Sequence, residues 1–264
     1  MAREKFGSRF GVLMAMVGSA VGLGNMWRFP YMVGEYGGAA FIFVYILCVF
    51  FLCLPIFFAE FIIGRRSQAN AFRAFERLAP GTPWKWVGLA AVTAPVVILS
   101  YYSVIGGWSI QYFFKSCTFG FTERVTQEYL DTMFAGFISS TWAPILGHTF
   151  FLIVTSLVIL GGVKSGIERF GKVMMPLLYF IVLIIAVWTA TLPGASEGLS
   201  FLFNPDFSKI DASVCAAALG QAFFSLSLGY GTMLTYASYV SKKEDIAKAS
   251  TTIAFSDLLF SLIA

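Results

Sequence analysis

Of the chain's 264 residues, 58% are hydrophobic and only 12% are charged, and the mean hydropathy is +0.78. A soluble domain carries about 25% charged residues, so the composition excludes an ordinary solvated fold and points to a membrane protein. The net charge of +4 is distributed as membrane topology requires and marks no nucleic-acid partner.

Apolar blocks near the length of a bilayer span, about 20 residues, lie at 10–36, 41–63, 87–114, 146–162, 173–192 and 214–240, and a seventh begins at 249–264. The first block places Gly18, Gly22, Gly24, Asn25, Arg28 and Pro30 at membrane depth. A close packing face at Gly18-x-x-x-Gly22 explains the glycines. It leaves Asn25 and Arg28 without a purpose, because buried polar groups are costly unless they line a site or a water path. This span is therefore expected to be interrupted. In the second block the only charge is Glu60. The segment Lys115 to His148 reads as an outside loop with short helices. At the inner end of the fifth block, Gly166 and Pro176 enclose nine residues, and an ordinary helix start with Pro176 near its first turns is one reading. The sixth block sets Ser225, Ser227 and the glycines 220, 229 and 231 in an apolar run, so it too is expected to unwind in its middle. Broken first and sixth spans are the sequence pointer to an inverted-repeat transporter that binds substrate between them.

Cys48, Cys53, Cys117 and Cys215 lack metal-ligand spacing and read as packing residues. His148 has no Cys or His nearby, so it reads as a packing or interfacial residue. No cleavable signal peptide is evident. With the N-terminus inside, 14 Lys and Arg fall in inner segments, 3 in outer ones, and Arg28 lies within a span. This asymmetry predicts a cytoplasmic N-terminus in a multi-pass protein of the cell's inner (plasma) membrane.

Several collinear segments carry a resemblance: Gly18 through Pro30, Tyr101-Tyr102, Gly166-Ile167-Glu168-Arg169-Phe170, Phe203-Asn204-Pro205-Asp206, Gln221 through Gly231, and Thr235 through Tyr239. Together they resemble the neurotransmitter:sodium symporters, and within them the bacterial amino-acid transporters of the leucine-transporter (LeuT) fold. The resemblance implies an all-α integral membrane protein with a five-plus-five inverted repeat. The chain would hold the first repeat and the start of the second in one transmembrane domain, residues 1–264. It stops seven residues after Asp257, where such a repeat needs further helices, so it is expected to be the N-terminal part of a longer transporter.

By the same resemblance, a first sodium is held by the Ala20 carbonyl and the side chains of Asn25, Ser225 and Asp257. A second uses the carbonyls of Gly18 and Val21. The substrate meets backbone at Ser19, Ala20, Gly22 and Gly24, the Tyr102 hydroxyl, Ser225, and a pocket of Ile98, Phe224, Ser227 and Tyr230. Gly22 stands where monoamine carriers have Asp, which favours an amino acid, hydrophobic or aromatic given Ile98 and Tyr230. Arg28, over Tyr102 and Phe224 or Tyr230, resembles an outer gate, and Arg3 with Phe6 an inner latch. Glu60 resembles a support that accepts N–H groups of the unwound segments. Tyr45, Gln221, Ser225 and Ser261 resemble a chloride site, but Asp257 brings its own negative charge, so chloride-independent transport is expected. Gly166 to Pro176 also matches a family motif for local unwinding toward the second sodium.

The function so implied is symport of sodium and an amino acid into the cell by alternating access. The rivals are a sodium-independent or proton-coupled carrier of the same fold and a substrate-binding sensor. An enzyme is not expected, because no nucleophile, base and metal cluster converges. Expected partners are the amino acid, the lipid bilayer and a second copy in a homodimer.

Overall fold

A computed structural model describes residues 6–118, 126–241 and 244–264, and these are almost entirely helical. They fall into two compact units, Met1–Thr93 with Val163–Ala264, and Ala94–Gly162.

The first unit opens with α1 (Arg9–Ala20), whose N-cap Ser8 accepts from Gly11 N at 3.0 Å. The helix stops at Val21, a π turn covers Gly24–Arg28, and α2 (Phe29–Glu35) continues at a bend of 46°. The second span is one long rod: α3 (Ala39–Leu47), a π turn over Cys48–Cys53, and α4 (Leu54–Ser67). Proline explains both π turns. Pro30 and Pro55 would each collide with the carbonyl four residues back, at Met26 and Phe51, and a wider turn at those residues relieves the clash. A short amphipathic helix, α5 (Ala71–Leu78), capped by Asn70, leads to α6 (Lys85–Cys117), which carries Pro95 and passes into the second unit.

In the second unit α6 continues to α7 (Gln127–Ser139) and α8 (Trp142–Leu160). Between α6 and α8 the described residues hold one short helix, α7. Gly107 and Gly147 bring the backbones of α6 and α8 together with no room for a side chain between them. His148 sits in α8 beside this contact, in a packing position.

Back in the first unit, a π turn over Val163–Glu168 runs straight into α9 (Arg169–Thr189). The fifth span therefore begins ten residues before the apolar block at 173, and Pro176 lies inside the helix. The cause is electrostatic: Glu168 is paired with Lys172 one turn later, so a stretch too charged for a hydropathy reading still forms helix. Then come α10 (Ala195–Phe203), a 3₁₀ turn over Phe207–Lys209 capped by Asp206, α11 (Ala212–Ser225), α12 (Thr232–Ala237) and α13 (Ile246–Ile263). The sixth span is broken as expected, its halves separated by residues 226–231, where Ser227, Gly229 and Gly231 take φ of 53°, 81° and 66°. Among the described residues, five helices are long and apolar enough to cross a membrane, and the bent α1–α2 pair makes a sixth.

Candidate functional site: two broken helices around a buried carboxylate

In a continuous helix the Gly18 carbonyl would receive Gly22 N and the Val21 carbonyl would receive Asn25 N. At the α1 break both donors turn elsewhere: Gly22 N to Asn25 Oδ1 at 2.9 Å, and Asn25 N to Gly22 O at 3.1 Å. The carbonyls expected at the second sodium site thus lose their helical partners. The Ser19 carbonyl is met from the other break, accepting from Ser227 Oγ at 3.1 Å.

The Asn25 side chain is fully buried, and its amide nitrogen faces Ser225 Oγ at 2.9 Å, Asp257 Oδ1 at 2.8 Å and Ser261 Oγ at 2.7 Å. Ser225 Oγ also donates to the Asp257 carboxylate at 2.8 Å. The buried Tyr45 hydroxyl faces the same cluster of Ser225, Ser261 and Asp257. Three elements therefore converge: the α1 break, the last turn of α11 and the middle of α13. Asp257 has 0% exposure and, among the described residues, no cation within ion-pair distance. Its partners are neutral donors. A buried carboxylate without a countercharge is costly, and three oxygens around an amide with two hydrogens form an acceptor-rich cage.

Gln221 is turned away from that cage. Its side chain accepts from Arg28 Nη1 at 2.7 Å and donates to the Gly24 carbonyl at 3.2 Å. Of the four residues likened to a chloride site, Tyr45, Ser225 and Ser261 surround Asp257, and Gln221 serves Arg28. The Arg28 guanidinium lies 5.0 Å from the centre of the Phe224 ring, and Phe224 meets Tyr230 edge-on at 6.5 Å. Gly24 is required by this packing, because a Cβ there would stand 2.9 Å from Phe224 Cε1. Glu60 Oε1 accepts Gly229 N at 2.7 Å, satisfying a donor in the α11–α12 break. Phe6 stacks on Tyr236 at 6.3 Å; Arg3 lies outside the described residues. Ala20 is buried at the last turn of α1. Ile98 and Tyr102 lie on α6 in the second unit, where Tyr102 packs edge-on against Tyr101 at 6.4 Å.

Glu168, which lies in a segment that carries the resemblance but was given no role of its own, gathers donors from Gly7, Ser8 and Lys172.

The chain is similar to the sodium-dependent transporter YhdH of Bacillus subtilis, 38% identical over 98% of this chain and 57% of that protein. A sodium-dependent transporter of Methanocaldococcus jannaschii is 36% identical over 100% of this chain and 55% of its own length. The crystal structure of MhsT in complex with L-phenylalanine superposes with a TM-score of 0.91 at 45% identity, over 99% of this chain and 60% of that one. The chain thus spans little more than half the length of these relatives. The family match runs over residues 3–134 and 137–264, and on it the chain belongs to the sodium:neurotransmitter symporter family, a family of membrane transporters with the LeuT fold.

Proposed function

We propose that the protein carrying this chain is a sodium-coupled symporter that brings a hydrophobic or aromatic amino acid into the cell. The observation that carries the reading is the Asp257 carboxylate, fully buried, bonded to neutral donors and joined to Asn25 and Ser225 where two broken helices meet. An all-oxygen cage with one net negative charge suits a hard monovalent cation. Half a turn of the Asn25 amide presents its oxygen to the same centre, and the Ala20 carbonyl and substrate carboxylate complete a first sodium site. The freed carbonyls of Gly18 and Val21 offer part of a second.

The amino-acid substrate is supported by the absence of a carboxylate at Gly22 and by the phenylalanine bound in the similar MhsT. Its carboxylate would meet the α1 break, and its side chain Phe224, Ser227 and Tyr230. The charge of Asp257 makes chloride dispensable, since it occupies the middle of the Tyr45, Ser225 and Ser261 cluster. The excess of basic residues in the inner segments supports a cytoplasmic N-terminus, in a protein of the plasma membrane on this reading.

Mechanically, sodium and amino acid join the α1 and α11–α12 breaks, Arg28 and Phe224 close over them, and rocking of the helices releases both inside. Each sodium crossing 100 mV releases about 2.3 kcal/mol, so two supply roughly 4.6 kcal/mol, enough for an accumulation of about three powers of ten. Binding of labelled L-phenylalanine to the purified full-length protein tests the reading. Sodium-dependent binding lost on Asn25→Ala is expected; equal binding in sodium and potassium would favour the sodium-independent carrier or the sensor.

A further inference from the structure

Asp257 is held from more directions than the cage around its carboxylate. The carboxylate meets Asn25 and Ser225, and the Asp257 carbonyl accepts Ser261 Oγ at 3.0 Å. A further bond reaches the same residue through the backbone, from α9. The Tyr179 hydroxyl donates to the Ser256 carbonyl at 2.8 Å. That carbonyl and the Asp257 N–H belong to one planar peptide unit, so the hydroxyl holds the plate on which the Asp257 Cα is mounted.

The Tyr179 ring completes the grip. It meets Phe260 edge-on at 4.9 Å, and Phe260 is fully buried. Ser256 and Phe260 stand four positions apart on α13, at the two ends of one helical turn. One tyrosine therefore takes hold of the single turn that carries Asp257, with its hydroxyl at one end and its ring at the other. The neighbours of Tyr179 on α9, Leu177, Leu178, Phe180 and Ile181, are all apolar, and the ring contact alone would need only phenylalanine. A hydroxyl in such a run is costly without an acceptor. The acceptor it finds is a carbonyl inside α13 that the helical ladder already satisfies, so the bond rescues no orphaned group; what it adds is position.

We infer that Tyr179 is a positioning residue of the cation site: from α9 it fixes the peptide unit before Asp257 and thereby the place of the carboxylate against Asn25 and Ser225. That the site takes sodium rests on the symporter reading; the tie from Tyr179 to the turn of Asp257 does not. A cage binds best when its members are held in advance at the separation the ion requires. Slack in that turn lowers affinity for the ion without removing a ligand. A bond that merely glues two helices together would stabilise the fold in every salt alike, whereas a positioning bond is felt through sodium.

Tyr179→Phe keeps the ring and removes the hydroxyl. The full-length protein is unfolded thermally at a series of sodium concentrations, with potassium making up the ionic strength, and amide hydrogen exchange over residues 254–261 is followed in potassium alone. The sodium concentration that gives half of the stabilisation should rise about threefold, the fold-change that an interhelical hydrogen bond of average strength in a membrane is worth. Exchange over 254–261 should quicken by about as much, with exchange over 39–47 unchanged. Phenylalanine affinity at saturating sodium should hold. An equal drop in melting temperature in both salts, with the sodium midpoint unmoved, would make Tyr179 a structural tie and overturn the positioning role. Unchanged exchange over 254–261 would overturn the tie itself. Exchange is read without sodium, so a wild type that sodium fails to stabilise would sink the symporter reading while the exchange result still decides the tie.

Discussion

The Asn25 amide nitrogen lies 2.8 Å from the Asp257 carboxylate, joining the break in the first span to the middle of the seventh across 232 positions of chain. Ser225 bridges the same pair from the end of α11. Both side chains are fully buried at membrane depth, and on the proposed reading a cation at their meeting point would remove the cost of both.

Asp257→Asn preserves shape and removes the charge. If that charge holds sodium, the mutant loses most of the stabilisation that sodium gives the wild type over potassium. Ligand at 100 times its Kd stabilises by about 2.7 kcal/mol, a difference that thermal unfolding in the two salts can resolve. An unchanged sodium effect in the mutant would separate Asp257 from the ion.

If the same carboxylate takes the place of the anion, chloride becomes dispensable. Replacing chloride with gluconate should leave wild-type uptake unaltered, whereas Asp257→Asn, with Tyr45, Ser225 and Ser261 still in place, should acquire a chloride requirement. Uptake by the wild type that stops in gluconate would show that Asp257 does not substitute for the anion.

Gly24→Ala sets a methyl against Phe224 at 2.9 Å and displaces the ring beneath Arg28. Overpacking of this kind costs about 1–3 kcal/mol, so phenylalanine affinity should fall by about 5-fold or more if that cost falls on the bound state. Binding titrations of the variant measure it.

Glu60 supports the other break. Glu60→Ala removes the acceptor of Gly229 N, a net loss of about 0.5–1.5 kcal/mol for one hydrogen bond that should lower the melting temperature. Glu60→Gln keeps an acceptor oxygen and should come close to the wild type. A large loss in Glu60→Gln would mean that the charge, and not the acceptor, matters.

Both broken spans were legible because Gly, Asn, Arg and Ser are expensive in a bilayer and their positions expose the interruption. The cage residues Asn25, Ser225 and Asp257 were reached through resemblance, and the structure brings their side chains within hydrogen-bonding distance. The π turn at Cys48–Cys53 was not legible, since Pro55 reads equally as a kink or a helix start until the ladder around Phe51 is seen. The start of the fifth span was missed because hydropathy counts Lys164, Glu168 and Lys172 as three separate charges, whereas the fold pairs two of them. The bonds that Glu168 makes were not legible for a different reason: Gly7 and Ser8 lie 161 and 160 positions away in sequence.

The central claim is sodium-driven amino-acid transport, and uptake of a labelled amino-acid panel into proteoliposomes holding the full-length protein tests it most directly, with an inward sodium gradient against a matched potassium control. The account predicts concentrative uptake of hydrophobic or aromatic amino acids in sodium, abolished by Asn25→Ala. Uptake that proceeds equally in potassium, or none with any amino acid, would contradict it.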